Sequence, residues 1–471
     1  MKAPRILFAA PKSGSGKTMI TCGIIELLKR RGMKVASFKC GPDYIDPMFH
    51  QRVLGIPSGN LDTYFTGDRV TRYLLMEKAG KADITVLEGV MGFYDGLNGT
   101  SVSASTYEVG KVTATPVVLV VDGKGASVTL ASVIKGIKEY KNDSGIVGVI
   151  LNRISAGYYE RIAKVIEEAC NIPVLGYFPE IKNLKVPERH LGLISPEEMK
   201  GFEEWIERVA NIMDQTIALD HLIGIAQSAS LLDGEEFAPF NNQPPVKKGI
   251  RMGIARDEAF SFYYEENMDL LKKMGVELIP FSPIHDRHLP SGLQGLILGG
   301  GYPEKYGSEL SQNNTMREDI KNACGQIPVL AECGGFLYLQ QSLEGIDGME
   351  YPMVGALMGK GYRKDKLSRF GYMQCVSKED GLIGESGTVL KGHEFHYWDC
   401  TDNGRDFCAG KPVPKEDVTV GMEKDKYELM KPYDCMIHTD RMLAGFPHFY
   451  YYSNPKMIYE FLKHCEENEG I

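Results

Sequence analysis

The sequence lacks any long apolar run, and no window approaches the ~18 consecutive apolar residues that a membrane-spanning helix needs. The apolar run at 6–10 is also too short for the core of a secretory signal. The chain has 10 cysteines among 471 residues, but no pair is spaced Cys-x-x-Cys, which argues against a zinc ribbon or a thioredoxin motif. Scattered thiols favour a reducing compartment, so we expect a cytoplasmic protein without a disulfide scaffold.

Positive charge is also in short supply. The 53 Lys and Arg residues are outnumbered by 62 Asp and Glu residues, which gives a formal net charge of −9. This balance argues against broad binding to nucleic acid or to an anionic membrane, although a local basic pocket could hold an anion. Hydrophobic residues make up 43% and charged residues 24%, an ordinary globular composition that excludes collagen-like, disordered and coiled-coil classes.

Strands and helices alternate along the first half of the chain. Strands are predicted at 5–10, 35–38, 84–87, 116–121, 146–151 and 174–177, with helices at 18–31 and 158–170. Near-continuous apolar strands separated by helices are typical of a parallel sheet covered on both faces. The sequence therefore predicts an α/β protein.

A second α/β pattern follows a break in the first. Its strands are predicted at 251–255, 277–281, 295–298 and 328–331, with a helix at 265–273. The stretch 237–249 is rich in Pro and Asn and is interpreted as a linker, with a long surface loop as the alternative. We expect two domains, at 1–240 and 248–471.

A Gly- and Ser-rich turn joins the first predicted strand to the first predicted helix. The strict pattern G-x-x-x-x-G-K-[ST] fails because Pro11 occupies the first glycine position. The working parts are present, since Lys17 would reach the β- and γ-phosphates and the Thr18 hydroxyl would bind Mg²⁺. The residues predicted to bind ATP are Gly14, Gly16, Lys17 and Thr18, together with Lys12, which resembles the signature lysine of the deviant P-loop ATPases. An ordinary strand–helix turn is the alternative.

Two acidic residues near the end of the strand 84–87 are candidates for the same site. Glu88 directly follows the strand and is predicted to hold Mg²⁺ or to position water, with a solvent-facing carboxylate as the alternative. Asp95 follows a few residues later as a candidate substrate contact, although it could serve only as a turn former.

The loop 38–50 follows another strand, at the edge where doubly wound sheets bind ligands. Asp43 could hold Mg²⁺ there, and Lys39 could neutralise a phosphate or a substrate carboxylate. Asp46 is a further candidate for contact with the substrate. Turn geometry alone would also explain Asp and Pro in this loop.

In the second half, Cys333 lies in a strand–turn–helix pattern with small residues on both sides. This is the arrangement of a nucleophile elbow, with Ala331 in place of the glycine often found there. The start of the helix is expected to lower the pKa of the thiol. Gly300 and Gly301 follow the strand 295–298 and are predicted to form an oxyanion hole. A buried structural thiol is the alternative.

A thiol nucleophile also needs a base. Spacing alone does not choose among four histidines, His393, His396, His438 and His448. For each of them a structural role is the alternative.

Five segments together point to a known family. They are 11–18, 39–47 (Lys-Cys-Gly-Pro-Asp-Tyr-Ile-Asp-Pro), 88–92 (Glu-Gly-Val-Met-Gly), 332–335 (Glu-Cys-Gly-Gly) and 392–397 (Gly-His-Glu-Phe-His-Tyr). On these segments the chain resembles the cobyrinic acid a,c-diamide synthases, glutamine-dependent amidotransferases of corrin biosynthesis. The resemblance covers essentially the whole chain.

The resemblance implies a division of labour between the two halves. The first half would be a dethiobiotin-synthetase-type ATP-binding domain, and the second a class I glutaminase domain. Cys333 would be the nucleophile, and the segment 443–455 matches the family stretch that places the catalytic histidine at His448. Other class I glutaminases carry a Glu two residues after this histidine, where Tyr450 stands here.

The implied reaction activates a tetrapyrrole acid as an acyl phosphate, using ATP and Mg²⁺, and then attacks it with ammonia from L-glutamine. The implied substrate is cobyrinate, amidated on its a and c acetate side chains, with nickel-sirohydrochlorin as a close alternative. A switch ATPase similar to ParA and MinD, and a synthetase acting on a non-tetrapyrrole acid, are further alternatives. We expect small-molecule substrates, no nucleic acid or membrane partner, and a monomer or homodimer.

Overall fold

The computed structural model of the protein describes residues 2–181, 184, 201–233, 237, 246, 249–414 and 427–471. Most of the predicted linker 237–249 lies outside the described residues. The chain divides into two compact units, Met1–Phe237 and Ala238–Ile471. No helix in the described part of the chain is both long and apolar enough to cross a membrane.

The first unit is built on a parallel sheet of 7 strands in the order β3-β2-β4-β1-β5-β6-β7. Its strands are β1 (Arg5–Ala9), β2 (Val35–Cys40), β3 (Ser58–Leu61), β4 (Ile84–Glu88), β5 (Val117–Asp122), β6 (Ile146–Asn152) and β7 (Val174–Phe178). Its helices are α1 (Lys17–Arg30), α2 (Ile45–Arg52), α3 (Thr63–Ala79), α4 (Thr106–Val112), α5 (Thr129–Tyr140), α6 (Ala156–Cys170), α7 (Phe202–Thr216) and α8 (Leu219–Gln227).

The strands predicted in this half are confirmed to within about two residues, because each buries a run of Val, Ile and Leu. The sequence analysis missed β3, whose residues Ser-Gly-Asn-Leu show no apolar run. This strand is buried at the edge of the sheet and pairs with β2. Its Asn60 side chain donates hydrogen bonds to the carbonyl oxygens of Gly41 and Asp43, and so holds the loop after β2.

The second unit contains a sheet of 6 strands in the order β10-β8-β11-β13-β23-β22, parallel except for β22. The strands of this unit are β8 (Arg251–Ala255), β9 (Phe260–Phe262), β10 (Glu277–Phe281), β11 (Gly295–Leu298), β12 (Gly300–Gly301), β13 (Val329–Glu332), β14 (Ser342–Glu344), β15 (Glu350–Pro352), β16 (Lys360–Arg363), β17 (Arg369–Ser377), β18 (Val389–His396), β19 (Trp398–Cys400), β20 (Phe407–Pro414), β21 (Tyr427–Cys435), β22 (Ile437–His438), β23 (Met442–Gly445) and β24 (His448–Phe449). Its helices are α9 (Glu265–Lys273), α10 (Gly307–Gln312), α11 (Asn314–Cys324), α12 (Gly334–Leu339) and α13 (Pro455–Glu466).

A second sheet of this unit was not predicted. It has 5 strands in the order β21-β20-β17-β18-β24, and all of its pairings are antiparallel. Burial alternates along β18, as expected for a strand with one face on a core. This sheet carries the segment 392–397 and places it beside the short strand β24.

Each unit has its own apolar core. The first core gathers side chains of the seven-stranded sheet with those of α1, α7 and α8. The second gathers β11, β13, α11 and α12 with Trp398 and Phe446. All 10 cysteines lie in the described part of the chain, and no disulfide joins any of them. The predicted α/β class, with a P-loop parallel sheet followed by a second α/β unit, is confirmed.

Candidate active site

The turn between β1 and α1 is shaped by two glycines in the left-handed region. Gly14 has a φ of 75° and Gly16 a φ of 93°. A Cβ on Gly16 would lie 2.1 Å from Nδ2 of Asn152, so only glycine fits there. Asn152, at the end of β6, donates a hydrogen bond from Nδ2 to the carbonyl oxygen of Ser15 at 2.9 Å. The sequence analysis missed Asn152, whose only signal is its position directly after a buried strand.

The residues at the start of α1 reach the end of β4. Lys17 Nζ donates to the carbonyl oxygen of Met91 at 2.6 Å, and Thr18 Oγ1 donates to Glu88 Oε1 at 2.6 Å. Asp95 is exposed, and its Oδ2 accepts from the Gly92 backbone N–H at 2.8 Å. Burial, followed by the neighbouring Lys39, lowers the pKa of Lys17 to about 8. If an anion took the place of the Met91 carbonyl oxygen, it would lie next to the ammonium group of Lys17.

Lys12 occupies a different position on the same turn. Its side chain is exposed, and its carbonyl oxygen accepts a hydrogen bond from Ser15 Oγ at 2.9 Å. The cation is therefore accessible to a ligand at the turn.

A buried cluster of charge surrounds Glu88. Lys39 Nζ lies 2.7 Å from Glu88 Oε1 and 2.6 Å from Asp46 Oδ2, and all three side chains are almost fully buried. Burial alone would lower the pKa of Lys39, but the carboxylates of Asp46 and Glu88 outweigh it and raise that pKa. Burial raises the pKa of Glu88, and Lys39 opposes this shift. The cluster is a network of charges that compensate one another out of water.

His50 belongs to this cluster, although the sequence analysis assigned it no role. Its Nε2 lies 3.7 Å from Glu88 Oε2, and its Nδ1 lies 3.0 Å from Ser37 Oγ. His50 is fully buried. The signal available in the sequence was the position of His50, one helical turn after Asp46 in the segment that also holds Asp43.

Asp43 lies at the beginning of α2. Its Oδ1 accepts from the backbone N–H groups of Ile45 at 2.9 Å and of Asp46 at 3.3 Å. Asp43 lies near enough to Lys39 to help raise the pKa of that lysine. Oδ1 of Asp43 thus stabilises the start of α2, which is the turn role given above as the alternative for this residue.

The residues at this turn fit a magnesium ion held largely by phosphate. Thr18 supplies a hydroxyl, and Glu88 Oε2 is buried with no hydrogen-bond partner among the described residues. Mg²⁺ prefers such oxygen ligands and is usually bound by one or two protein groups together with substrate phosphates. No group of three or more His, Cys, Asp or Glu side chains in the described ranges is arranged to hold a metal ion.

In the second unit, Cys333 lies on a sharp turn between β13 and α12. Its φ of 48° and ψ of −101° are sparsely populated for a residue with a side chain. The backbone N–H of Cys333 donates to the carbonyl oxygen of Gly445 at 2.8 Å, which anchors the turn on β23. A Cβ on Gly335 would lie 2.1 Å from the carbonyl oxygen of Leu298, so the helix packs closely on β11. This is the geometry of a nucleophile elbow.

Gly300 and Gly301 lie beside this turn. A Cβ on Gly334 would lie 2.9 Å from the backbone nitrogen of Gly301, and a Cβ on Gly300 would lie 2.2 Å from Cε1 of His448. The two glycines therefore separate the residue after Cys333 from the imidazole of His448. The predicted nucleophile, histidine and oxyanion glycines thus lie in one neighbourhood.

The expected lowering of the pKa of the Cys333 thiol was wrong for the protein without substrate. Burial raises this pKa, and the carboxylates of Glu304, Glu394 and Glu332 raise it further. A thiolate at this site therefore requires a base that accepts its proton.

The four candidate histidines fall into two groups. His393 lies directly opposite His448 in the pairing of β18 with β24, and the ring of His396 stacks on Phe446 with centroids 3.9 Å apart. His438 lies elsewhere, on β22, where its Nε2 accepts from the Ile383 backbone N–H at 3.3 Å. Burial, followed by His393 and His396, lowers the pKa of His448 to about 3, so this imidazole is neutral and able to accept a proton.

The sequence analysis missed one further group at this site. Glu332 Oε2 lies 3.9 Å from His448 Nδ1, and burial raises the pKa of Glu332 to about 8. The residue directly precedes Cys333 and ends a buried strand, a signal that could have marked it.

Two family models match the chain. The model described as the CobQ/CobB/MinD/ParA nucleotide binding domain matches residues 6–194, and the one described as the CobB/CobQ-like glutamine amidotransferase domain matches residues 251–454. The first is consistent with the turn between β1 and α1, and the second with the elbow at Cys333.

Curated relatives match nearly the whole chain. A cobyrinate a,c-diamide synthase of Listeria monocytogenes is 42% identical over 83% of this chain and 86% of its own. One of Listeria innocua is 38% identical over 96% of this chain and 98% of its own, and one of Salmonella typhimurium is 34% identical over 97% of each. These similarities confirm the predicted enzyme class, a glutamine-hydrolysing carbon–nitrogen ligase. The chain belongs to the cobyrinate a,c-diamide synthase family.

Proposed function

We propose that this protein uses ATP and L-glutamine to amidate the a and c acetate side chains of cobyrinate. The observation that carries the proposal is the neighbourhood of Cys333, His448 and Gly300, in a chain that also holds a phosphate-binding turn. The names of the curated relatives supply the substrate. Residues 1–240 would form the ATP-binding amidoligase domain, and residues 248–471 the glutaminase domain.

The first unit makes a carboxylate reactive. Oxide is a poor leaving group, so the substrate carboxylate must first receive a phosphoryl group from ATP, which gives an acyl phosphate and ADP. The turn from Lys12 to Thr18 would bind the phosphates, and Mg²⁺, held by Thr18 and Glu88, would neutralise their charge. Asp43 is a further candidate ligand. Ammonia then attacks the acyl carbon, phosphate leaves and the amide forms.

Lys39, Asp46 and Asp95 are the candidates for contact with the substrate or the intermediate. Lys39 is the cation among them, and in the structure it lies between the carboxylates of Asp46 and Glu88. An anionic acyl phosphate next to Glu88 would require such a cation. Asp95, which caps the Gly92 backbone N–H, lies within range to act on Lys17.

The second unit releases the ammonia. Cys333 Sγ attacks the side-chain amide carbon of glutamine while its proton passes to His448. The backbone N–H groups of Gly300 and Gly301 would stabilise the resulting oxyanion. The carbon–nitrogen bond then breaks, the amine takes the proton from His448 and leaves as ammonia, and water hydrolyses the thioester to glutamate.

Two substitutions test the division of labour. Cys333→Ala should abolish glutamine-dependent amidation of cobyrinate, because no thioester can form, while amidation with ammonium salts survives. Lys17→Ala should reduce amidation with either nitrogen source by more than about 100-fold, because it removes a cation from the phosphate site. Product mass and glutamate release measure both effects, with nickel-sirohydrochlorin offered in parallel to cobyrinate.

Cys324→Ala is a matched control, because this thiol ends α11, outside the site. It should leave both activities at the level of the unmodified enzyme. Continued glutamine use by Cys333→Ala would refute the nucleophile, and continued ATP turnover by Lys17→Ala would refute the phosphate site. Amidation of nickel-sirohydrochlorin in preference to cobyrinate would refute the substrate.

A further inference from the structure

A carboxylate lies next to the imidazole that would act as the base. Glu332 Oε2 lies 3.9 Å from His448 Nδ1, and Glu332 Oε1 accepts a hydrogen bond from the Phe449 backbone N–H at 3.4 Å. Only 13% of the Glu332 side chain and 4% of the His448 side chain are exposed. One carboxylate therefore contacts both the imidazole and the backbone next to it, where water has little access.

The carboxylate of Glu332 and the thiol of Cys333 both lie at the end of β13. Glu332 is the last residue of β13, and Cys333 follows it directly. Glu332 pairs with Gly445 on β23, and the Cys333 N–H donates to the same residue. The position of the carboxylate relative to the nucleophile is therefore fixed by the parallel sheet.

Position 450, where other class I glutaminases carry their glutamate, cannot serve this purpose here. Tyr450 is fully buried, and its ring packs edge-on against Tyr264 with centroids 4.9 Å apart. Asn267 fixes the backbone on both sides, since it donates to the Phe449 carbonyl oxygen and accepts from the Tyr451 N–H. The carboxylate that lies beside His448 comes instead from Glu332, at the end of β13.

Charge at the site explains why such a partner is needed. The titratable groups that face His448 are Glu332, His393 and His396. Those that face Glu332 are Cys333, Tyr263, Tyr451 and His448. Burial lowers the pKa of His448 to about 3 and raises the pKa of Glu332 to about 8. Each group alone resists becoming charged, whereas an imidazolium next to a carboxylate is compensated.

We propose that Glu332 is the positioning residue for His448, directing Nε2 of the imidazole at Cys333 and compensating the charge that the imidazole acquires with the thiol proton. This inference rests on the proposed glutaminase activity of the second unit. The proton moves from Sγ of Cys333 to Nε2 of His448 and then to the departing ammonia. The distance of 3.9 Å exceeds that of a hydrogen bond, and such contacts commonly tighten when substrate binds.

Glu332→Gln tests the charge separately from the packing. The introduced amide has nearly the same volume, and its oxygen can still accept from the Phe449 N–H. We expect kcat for glutamine-dependent amidation to fall about 100-fold, a smaller loss than the ~10⁴-fold typical when a triad aspartate is made neutral. The KM for glutamine should stay within about twofold, and ammonium-dependent amidation should be unchanged.

The pH profile provides a readout that a merely structural role would not move. A carboxylate stabilises the protonated imidazole, so its loss lowers the pKa of His448. Because burial raises the pKa of Glu332 to about 8, this carboxylate forms only as the pH rises through that value, and activity that depends on it should rise over the same range. The acidic limb of kcat/KM for glutamine should therefore be lost in Glu332→Gln, while the plateau falls.

Glu350→Gln is the matched control, because Glu350 is an exposed carboxylate of the same unit that is bound by Ser342 and Lys360. It should leave kcat and the pH profile unchanged. An unchanged kcat in Glu332→Gln, with Cys333→Ala inactive towards glutamine, would overturn the role of Glu332 alone. An equal loss of glutamine- and ammonium-dependent activity would show a structural role and would also overturn it. If Cys333→Ala itself still uses glutamine, the proposed function fails instead.

Discussion

At the scale of single residues, the site of the second unit depends on glycine positions where a side chain would collide with its neighbours. Gly300 separates the imidazole of His448 from the elbow, and a Cβ there would lie 2.2 Å from Cε1 of His448. The backbone of His448 lies directly opposite His393 of β18, which holds the residue in the sheet. Gly300 therefore sets the position of the histidine as well as offering a backbone N–H.

Gly300→Ala should displace the His448 ring by about 1 Å or more. Because such a misplacement can cost about 100-fold in rate, we expect a loss of that size in glutamine-dependent activity. Ammonium-dependent amidation should persist. Gly325→Ala is the control, since a Cβ there meets its nearest neighbour at 3.6 Å. Glutamine- and ammonium-dependent amidation should be measured for both variants. Full glutamine-dependent activity of Gly300→Ala would contradict this prediction, because it would show that the His448 ring has room to move.

At the scale of elements, β19 is held by a nearly buried carboxylate. Asp399 Oδ2 accepts from Lys364 Nζ at 2.7 Å, and its Oδ1 accepts from Asn403 Nδ2 at 2.9 Å. Burial alone would raise the pKa of Asp399, but Lys364, Asn403 and the Cys400 N–H outweigh it and lower that pKa to about 2. The ionised form is therefore favoured by folding.

Asp399→Asn should reduce the free energy of unfolding by about 1–2 kcal/mol at pH 7. The folded pKa lies below the ordinary 3.8, so the contribution is complete above about pH 5 and is lost as the pH falls towards 2. Urea unfolding of both proteins at pH 7, 5 and 3.5 measures this convergence. Asp365→Asn is the control, because Asp365 is an exposed residue next to Lys364, and it should leave the free energy of unfolding unchanged. If the difference between Asp399→Asn and the unmodified protein does not shrink in acid, the assignment is contradicted.

Elements also show how far the sequence could predict the fold and the site. Most of the buried parallel strands were predictable, because each is a local run of apolar residues; β3, which has no such run, was missed. The pairing of β18 with β24 was not, because it joins residues far apart in the chain, as His393 with His448. Spacing alone therefore left four histidines open, and this register brings two of them together.

The missed site residues have a common physical reason. Glu332, His50 and Asn152 all act through long-range contacts with side chains or loops that local patterns do not reveal. The pKa of Cys333 was predicted in the wrong direction because the tertiary fold buries the thiol and then adds the carboxylates of Glu304 and Glu394 from distant parts of the chain. The strained elbow itself was predictable, since its small residues are adjacent in sequence.

At the scale of the whole molecule, the two units carry separate cores and one tryptophan each. Trp205 lies on α7 of the first unit and packs against its core, while Trp398 lies on β19 of the second and belongs to that core. The chain has 2 tryptophans in total. Each unit thus contains its own fluorescent reporter.

Gly335→Ala should destabilise the second unit while leaving the first intact. The added Cβ would lie 2.1 Å from the Leu298 carbonyl oxygen, and overpacking of this kind costs about 1–3 kcal/mol. In a Trp205→Phe background, the urea midpoint reported by Trp398 should fall. In a Trp398→Phe background, the midpoint reported by Trp205 and the binding of an ATP analogue should not change. Equal shifts of both midpoints would show that the units unfold as one.

The contact between Tyr264 and Tyr450 bears on how this chain differs from the other class I glutaminases. A glutamate introduced at position 450 would place an acid against the Tyr264 ring in a buried site, where the carboxylate of Glu332 already lies beside His448. With Glu332 acting on His448 as proposed, a change at position 450 alone does not reproduce the layout of the other class I glutaminases.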